Sequence, residues 1–579
     1  MRSYRYTHAS CAVCTLQETP LSAHDVAREA FRWPETAGAA NDDAPAAPVL
    51  RPGPGDEIAA LITAGGAALP ADSPRIGGGG PGGPSGPRKG RRLVIRSATV
   101  IDGTGAPPIG PMDIAVEGGR IVEARAVGYP HAPITMPRPA AGDLEIDATD
   151  CFVLPGFVDS HVHVGFPQQA RHGPVAPTEY IYKLWLAHGV TSVREVGSVN
   201  GLQWTIEQAR QAESGAIAAP HITPYALFPL PEYFHKTPAQ AVEWVQSVAS
   251  VGAKGVKFLG AQPGAMQAAL GEARKLGLRT ACHHAQMSVA RMNVLDTAGW
   301  GLTSMEHWYG LPEALFTDRT LQDYPPNYNY NNEQDRFSEA GRLWAQAAEP
   351  GSTRWREVLE RLLAIDFTLV PTFVAYEAAR DEQRARRLEW HDQYTWPGVW
   401  EFFQPNRDAH GSFHYYWSTQ HEIQWRRNYH RWMAFVNDYK NLGGRVCAGS
   451  DSGFIYNLYG FGFIRELELL QEAGFHPLES IRAATLKGAQ LMGREHEVGT
   501  IEVGKRADLV ILDRNPLANT KALYGTGAVW LNDETQRVKR TGGVCHTVVG
   551  GAVYDAKTLL AEVRDIVEAE KERRAGAQR

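Results

Sequence analysis

Leu154-Pro155-Gly156-Phe157-Val158-Asp159-Ser160-His161-Val162-His163-Val164 carries an apolar run without interruption into two histidines one residue apart. On a strand, whose side chains alternate between faces, that spacing places both imidazoles on one side. Imidazoles on a rigid strand end are good ligands for a borderline divalent metal such as zinc, and Asp159 shares their parity. An ordinary half-buried strand can carry His-x-His by chance, so the reading turns on whether later segments supply further ligands.

Downstream, short apolar runs alternate with helical stretches from about residue 157 to 497, the pattern of parallel βα units. Strands are predicted at 156–164, 190–196, 221–227, 255–259, 278–283, 302–307, 367–373 and 445–450, with connecting helices at 180–188, 204–214, 238–251, 263–276 and 462–473. Eight such strands make a TIM-like (β/α)8 barrel of the α/β class the economical fold. Residues 91–156 and 498–556 read instead as short strands between glycine turns, and together they are predicted to form a small composite β-sandwich domain. Leu559, Leu560, Val563, Ile566 and Val567 have helical spacing, so 557–579 is predicted to be a C-terminal amphipathic helix. Residues 1–90, crowded with Ala, Gly and Pro and ending near Gly77-Gly78-Gly79-Gly80-Pro81, read as a disordered or linker-like tail.

Composition narrows the function classes. The chain has 579 residues and a formal net charge of -6, and its basic residues cluster compactly only at Arg88-Lys89-Gly90-Arg91-Arg92, so there is no electrostatic footprint for nucleic acid. Cys11, Cys14, Cys151, Cys282, Cys447 and Cys545 are too few and scattered for a disulfide framework, which favours a cytoplasmic setting. No run approaches the ~18 apolar residues of a membrane span. The Ala/Leu/Gly-rich stretch 58–71 resembles the apolar region of a signal peptide, and a true start downstream of Met1 would make a secreted or periplasmic protein conceivable.

In a barrel of this kind, functional side chains gather at the C-terminal ends of the strands. His161, His163, Glu195, Lys257, His283 with His284, His307 and Asp451 all fall there. Each has a plain alternative: Lys257 as a strand-end lysine reaching solvent, His307 as a hydrogen-bonded core histidine, Asp451 as the cap in Ser450-Asp451-Ser452-Gly453. Taken together, four imidazoles, a lysine and a carboxylate could hold two divalent ions. Lys257 cannot ligate a cation as an ammonium; it would have to add carbon dioxide and become a carbamate, an anionic donor able to bridge two metals.

These motifs, in this order, resemble the amidohydrolase superfamily, most of all its branch around imidazolonepropionase and Xaa-Pro dipeptidase (prolidase). The matching pieces are Pro155 to His163, His188-Gly189-Val190-Thr191-Ser192-Val193-Arg194-Glu195-Val196-Gly197, Gly255-Val256-Lys257, Met305-Glu306-His307, Ala448 to Gly453, and Gly499 to Asp513, and the likeness runs from about Leu93 to Tyr554. It implies that His161 and His163 bind one zinc ion, that carboxylated Lys257 bridges two, and that His307 and one fifth-strand histidine bind the second. Spacing from Gly277 selects His283 for that place; the local pattern His284-Ala285 selects His284. Asp451 would touch a metal and act as general base while a metal-activated hydroxide attacks the carbon–nitrogen bond of an amide, cyclic amide or dipeptide. The loop 260–264 after the fourth strand is shorter than relatives often have, so substrate contacts there should differ.

Two other readings are kept: a mononuclear deaminase of the same architecture, with Lys257 an ordinary lysine, and a non-catalytic barrel scaffold. The span 312–440 is unusually aromatic, as in Tyr324 to Asn332, Trp390 to Trp396 and His410 to Trp417. It reads as a lid over a small-molecule substrate or, equally, as a partner surface, including one for a homo-oligomer, with an extra packed helical layer as the plain alternative. His391, His410 and His414 are the substrate-contact candidates it offers.

Overall fold

The computed structural model describes residue 87 and residues 89–577, apart from 131, 133, 173, 230–236, 287, 331, 408–410, 412–415, 533 and 541. The predicted tail, with Cys11 and Cys14, and the candidates His410 and His414 therefore lie outside the described residues. The chain divides into Met1–Ile58 and Ala59–Arg579, and everything below belongs to the second unit.

The chain first lays down β1 (Arg92–Val100), β2 (Ile109–Glu117), β3 (Arg120–Ala126), β4 (Leu144–Asp147) and β5 (Phe152–Pro155). Gly118 and Gly119, both at positive φ (56° and 77°), form the two-residue turn between β2 and β3, a backbone shape that β-carbons disfavour. β1 pairs along its first half with β4 and at its far end with β5. From β5 the chain passes directly into the barrel.

The barrel strands are β6 (Phe157–Val162), β7 (Val190–Gly197), β8 (His221–Leu227), β9 (Gly255–Phe258), β10 (Arg279–His283), β11 (Ser304–Glu306), β12 (Thr368–Val370) and β13 (Arg445–Val446). They pair in parallel and in chain order. All eight fall on predicted stretches, β7 ending one residue past its own, because buried parallel strands read as continuous apolar runs; several are shorter than predicted. Beyond β13 the chain runs on beside β6: Ser160 N–H donates to Ala448 O (3.0 Å) and Asp451 N–H to His161 O (2.8 Å), which closes the ring. Gly449 is needed at this seam, since a Cβ there would stand 2.7 Å from Val370 Cγ1 and 2.9 Å from His161 Cβ.

Helices α1 (Thr178–Ala187), α2 (Leu202–Ser214), α3 (Pro238–Val251), α4 (Pro263–Lys275) and α5 (Val294–Gly299) connect the earlier strands. The Thr237/Gln240 capping box starts α3, and a left-handed glycine ends each of α2 and α3. β12 runs through the aromatic span, which is thus two connections rather than one insertion: α6 (Thr353–Leu363) belongs to the first and α7 (Thr419–Asn441) to the second. Trp308, Trp344, Trp355, Trp425 and Trp432 are fully buried there, with Phe373 and Trp432 4.5 Å apart and Trp308 and Trp425 5.8 Å apart. These tryptophans are interior packing, as an extra packed helical layer would have them.

After α8 (Phe461–Glu472) the chain returns to the first sheet with β14 (Leu509–Leu512), makes a separate hairpin, β15 (Val529–Asn532) and β16 (Arg537–Arg540), and adds β17 (Val544–Val549) and β18 (Ala552–Asp555). The two ends of the sequence share one hydrogen-bonded sheet, ordered β18-β17-β14-β5-β1-β2-β3, with β4 beside β1. It has its own core, including Leu93, Ile95, Ile114, Val153, Leu509, Ile511 and Val548. The last helix, α9 (Ala556–Ala577), buries Leu559, Leu560, Val563 and Val567 and reaches α1 through Lys183 and Glu562 (2.8 Å). Among the described residues no helix is long and apolar enough to cross a membrane.

Candidate metal centre

The ring seam is also where the site forms. β6 bulges against β7 between Asp159 and Val162, and the parity Asp159 shares with the histidines does not survive it. The Asp159 carboxylate turns to the seam, accepting from Ser450 N (2.8 Å) and Ser450 Oγ (2.5 Å), and burial pushes it up to about 7. His161 and His163 face Asp451 instead: their Nε2 atoms lie 3.4 and 3.5 Å from Asp451 Oδ1. His307, just past β11, brings its Nε2 to 3.5 Å from Asp451 Oδ2. His283, at the end of β10, packs its ring 4.7 Å from that of His307.

His307, Asp451 and Thr372 are all held at positive φ (63°, 50° and 50°), although none is glycine. Such backbone costs about 1–3 kcal/mol per residue and collects at functional sites. Here it aims side chains at one point from three successive strand ends.

Hydrogen bonding decides which nitrogen His161 and His307 present. His161 Nδ1 stands 2.6 Å from Glu306 Oε2, and Glu306 in turn accepts two 2.9 Å hydrogen bonds from Arg194 Nη2. A carboxylate so held is an acceptor, so Nδ1 carries the proton. Thr372 Oγ1 donates to Pro371 O (2.7 Å) and therefore accepts from His307 Nδ1 at 2.6 Å. His163 Nδ1 faces Glu195 Oε1 at 3.5 Å, while Glu195 Oε2 accepts from Val164 N (2.6 Å). Burial, reinforced by neighbouring positive groups, holds His161 and His307 well below the usual imidazole range, so both are neutral.

Lone pairs on Nε2 thus point at carboxylate oxygens, acceptor against acceptor. That arrangement suits a cation between them, and His161, His163 and Asp451 each offer a donor atom within 4.8 Å of the others. The donors, neutral imidazole and carboxylate, are those of zinc and similar divalent ions.

Comparison with known proteins agrees with this geometry. The Amidohydrolase family model matches residues 429–553, a segment that includes Asp451 and the returning strands of the sheet. An adenine deaminase of Bacillus pumilus (strain SAFR-032) is 32% identical over 132 residues, 22% of this chain and 19% of that protein. An imidazolonepropionase of Symbiobacterium thermophilum is 43% identical over 76 residues, 12% of this chain and 17% of its own. The chain thus spans less than a fifth of the length of these curated relatives. A crystal structure of a Xaa-Pro dipeptidase with bound methionine superposes with a TM-score of 0.52 at 16% identity, covering 80% of this chain and all of that one. Residues 429–553 thus match the Amidohydrolase family, and the solved structure shares the fold.

Within the site the predicted residues separate. Lys257 is buried on β9, where burial lowers its pKa while Glu306 and Asp451 pull the other way. His284 turns away from the cluster: its Nε2 bonds Thr297 Oγ1 of α5 (2.8 Å), and burial drops it to about 3. His391 is no substrate contact, because it is buried with Nδ1 on Thr395 Oγ1 (2.9 Å) and Nε2 on Ala385 O (3.0 Å).

Arg194, Glu306 and Thr372 were not among the predicted site residues. Arg194 ties three strands together, donating to Ser160 O (2.5 Å) and Ser304 Oγ (3.1 Å) besides Glu306. Two of the three stood beside candidates already chosen, Arg194 next to Glu195 and Glu306 next to His307.

Proposed function

We propose that this protein hydrolyses a carbon–nitrogen bond in an amide, cyclic amide or dipeptide and depends on divalent metal, with two zinc ions as the reading that uses every buried donor. His161, His163 and Asp451 would hold the first ion, His283 and His307 the second, and Lys257, carboxylated, would bridge them. Bound there, the metal supplies Lewis acidity, polarising a carbonyl and making water a nucleophile at neutral pH. Asp451 takes the proton of the attacking water and hands it to the leaving nitrogen, a transfer that requires a carboxylate within hydrogen-bond reach of both. Glu195 and Glu306 keep the histidine pair oriented while this happens. Burial raises the neutral fraction of Lys257, the form whose nitrogen adds to carbon dioxide.

The observation that carries the reading is the convergence of three Nε2 atoms on the Asp451 carboxylate at 3.4–3.5 Å. The test is elemental analysis of the purified protein together with turnover on a panel of N-acyl amino acids, dipeptides and cyclic amides. D451N is expected to keep bound metal and lose about 10²–10⁴-fold in turnover; undiminished turnover would remove Asp451 from the reaction.

A mononuclear deaminase is the second reading, favoured by one feature: the tight donor cluster is His161, His163 and Asp451 alone. One ion per chain and an unmodified Lys257 in intact-mass analysis would select it over two ions.

A further inference from the structure

The imidazoles of the centre are backed by unlike partners. On the β6 side His161 Nδ1 is backed by the Glu306 carboxylate at 2.6 Å, whereas His163 Nδ1 only faces Glu195 Oε1 at 3.5 Å, without a hydrogen bond. Glu306 is fully buried and bracketed by Arg194 and by Ser304 Oγ (2.8 Å), so it cannot swing away. His307 is backed by a neutral hydroxyl, Thr372 Oγ1, whose own proton is spent on Pro371 O. Thr372 is β-branched and sits at φ 50°, a conformation such residues avoid, and it is completely buried. A residue kept there against its backbone preference needs a compensating role, and its hydroxyl is engaged by His307 Nδ1 and Pro371 O.

We propose that Glu306, fixed by Arg194, and Thr372 are positioning residues that lock His161 and His307 in the tautomer presenting Nε2, and that their difference in charge makes the two halves of the centre load in order. A carboxylate accepting the Nδ1 proton makes the opposite nitrogen a stronger electron donor; a hydroxyl does so far less. The His161/His163 half therefore takes its cation first and holds it more tightly, and the His283/His307 half fills second. This inference rests on the two-ion reading above.

The test is a Co2+ titration of the full-length protein, stripped with chelator, followed by visible absorption, with circular dichroism checking the fold of each variant. The parent is expected to bind in two resolved steps. E306Q should weaken the first step by about 10–100-fold. Because losing Glu306 alone strands the buried Arg194 charge, R194M/E306Q is measured beside it and should show the same loss. T372V should weaken the second step by a smaller factor and leave the first intact, while T372S, which keeps the hydroxyl, should titrate like the parent. Folded variants that load like the parent, T372V and T372S that behave alike, or Glu306 variants that weaken both steps equally would each overturn the proposal. A parent that binds no Co2+ overturns it together with the two-ion reading. A parent that binds one equivalent refutes the two-ion reading and the ordering, yet a loss on that step in E306Q still supports the lock on His161.

Discussion

Replacing His283 or His284 should separate two neighbours whose side chains have gone opposite ways. H283N is expected to lose metal, measured as ions per chain, because its ring lies against that of His307. H284A is expected to keep its metal and lose about 1–3 kcal/mol of stability in urea unfolding, since it removes a buried hydrogen bond to Thr297. Equal metal loss in both would mean that His284 also serves the centre. Nothing in the sequence could decide between them: alternation says only that adjacent residues face apart, and β10 ends at His283 itself. The left-handed backbone at His307, Thr372 and Asp451 was equally hidden, because none of the three is a glycine that would mark it.

Elements were more legible than contacts. Eight apolar runs marked the barrel strands because buried parallel strands need no polar face. The fate of the aromatic span was not legible, because tryptophans fill cores and surfaces alike and only the packing of α6 and α7 tells which. The joint between the barrel and the sheet was hidden for a related reason: its charges lie far apart in sequence. His221, the first residue of β8, meets Glu213 Oε2 of α2 with Nδ1 (3.1 Å) and Asp508 Oδ1, one residue before β14, with Nε2 (3.4 Å). Burial pulls its pKa down, but Asp508 and Glu213 outweigh that and hold it above the ordinary imidazole value. A raised folded-state pKa contributes stability that is complete below the unfolded value of about 6.5 and fades as pH climbs through the folded value. The Tm difference between the parent and H221N should accordingly be widest near pH 6 and shrink as pH rises; a constant difference would exclude this link.

For the molecule as a whole, the proposed metal is also a stabilising ligand, since it would tie β6, β11 and the segment beyond β13 together at the ring seam. Binding to the folded state alone adds RT ln(1 + [L]/Kd), about 2.7 kcal/mol at a hundredfold excess over Kd. Chelator treatment should therefore lower the Tm, and zinc should restore it, with a shift that grows with free metal concentration. An unchanged Tm in protein shown to have lost its metal would place the ions outside the seam.

β5 leads straight into the strand of His161 and His163, and it pairs antiparallel with β14 in the register Pro155 to Leu509. Those partners stand about 350 residues apart, so at ~5–20 residues per second the ribosome needs about 20–70 seconds to make the second after the first. During that time β5 has a free edge next to the nascent ligand strand, and contacts this distant in sequence are slow to form. Completion of the sheet thus waits for β14 rather than following directly on β5. Chains released before β14 emerges should carry the outer edge of β5 unpaired and be the ones that chaperones retain.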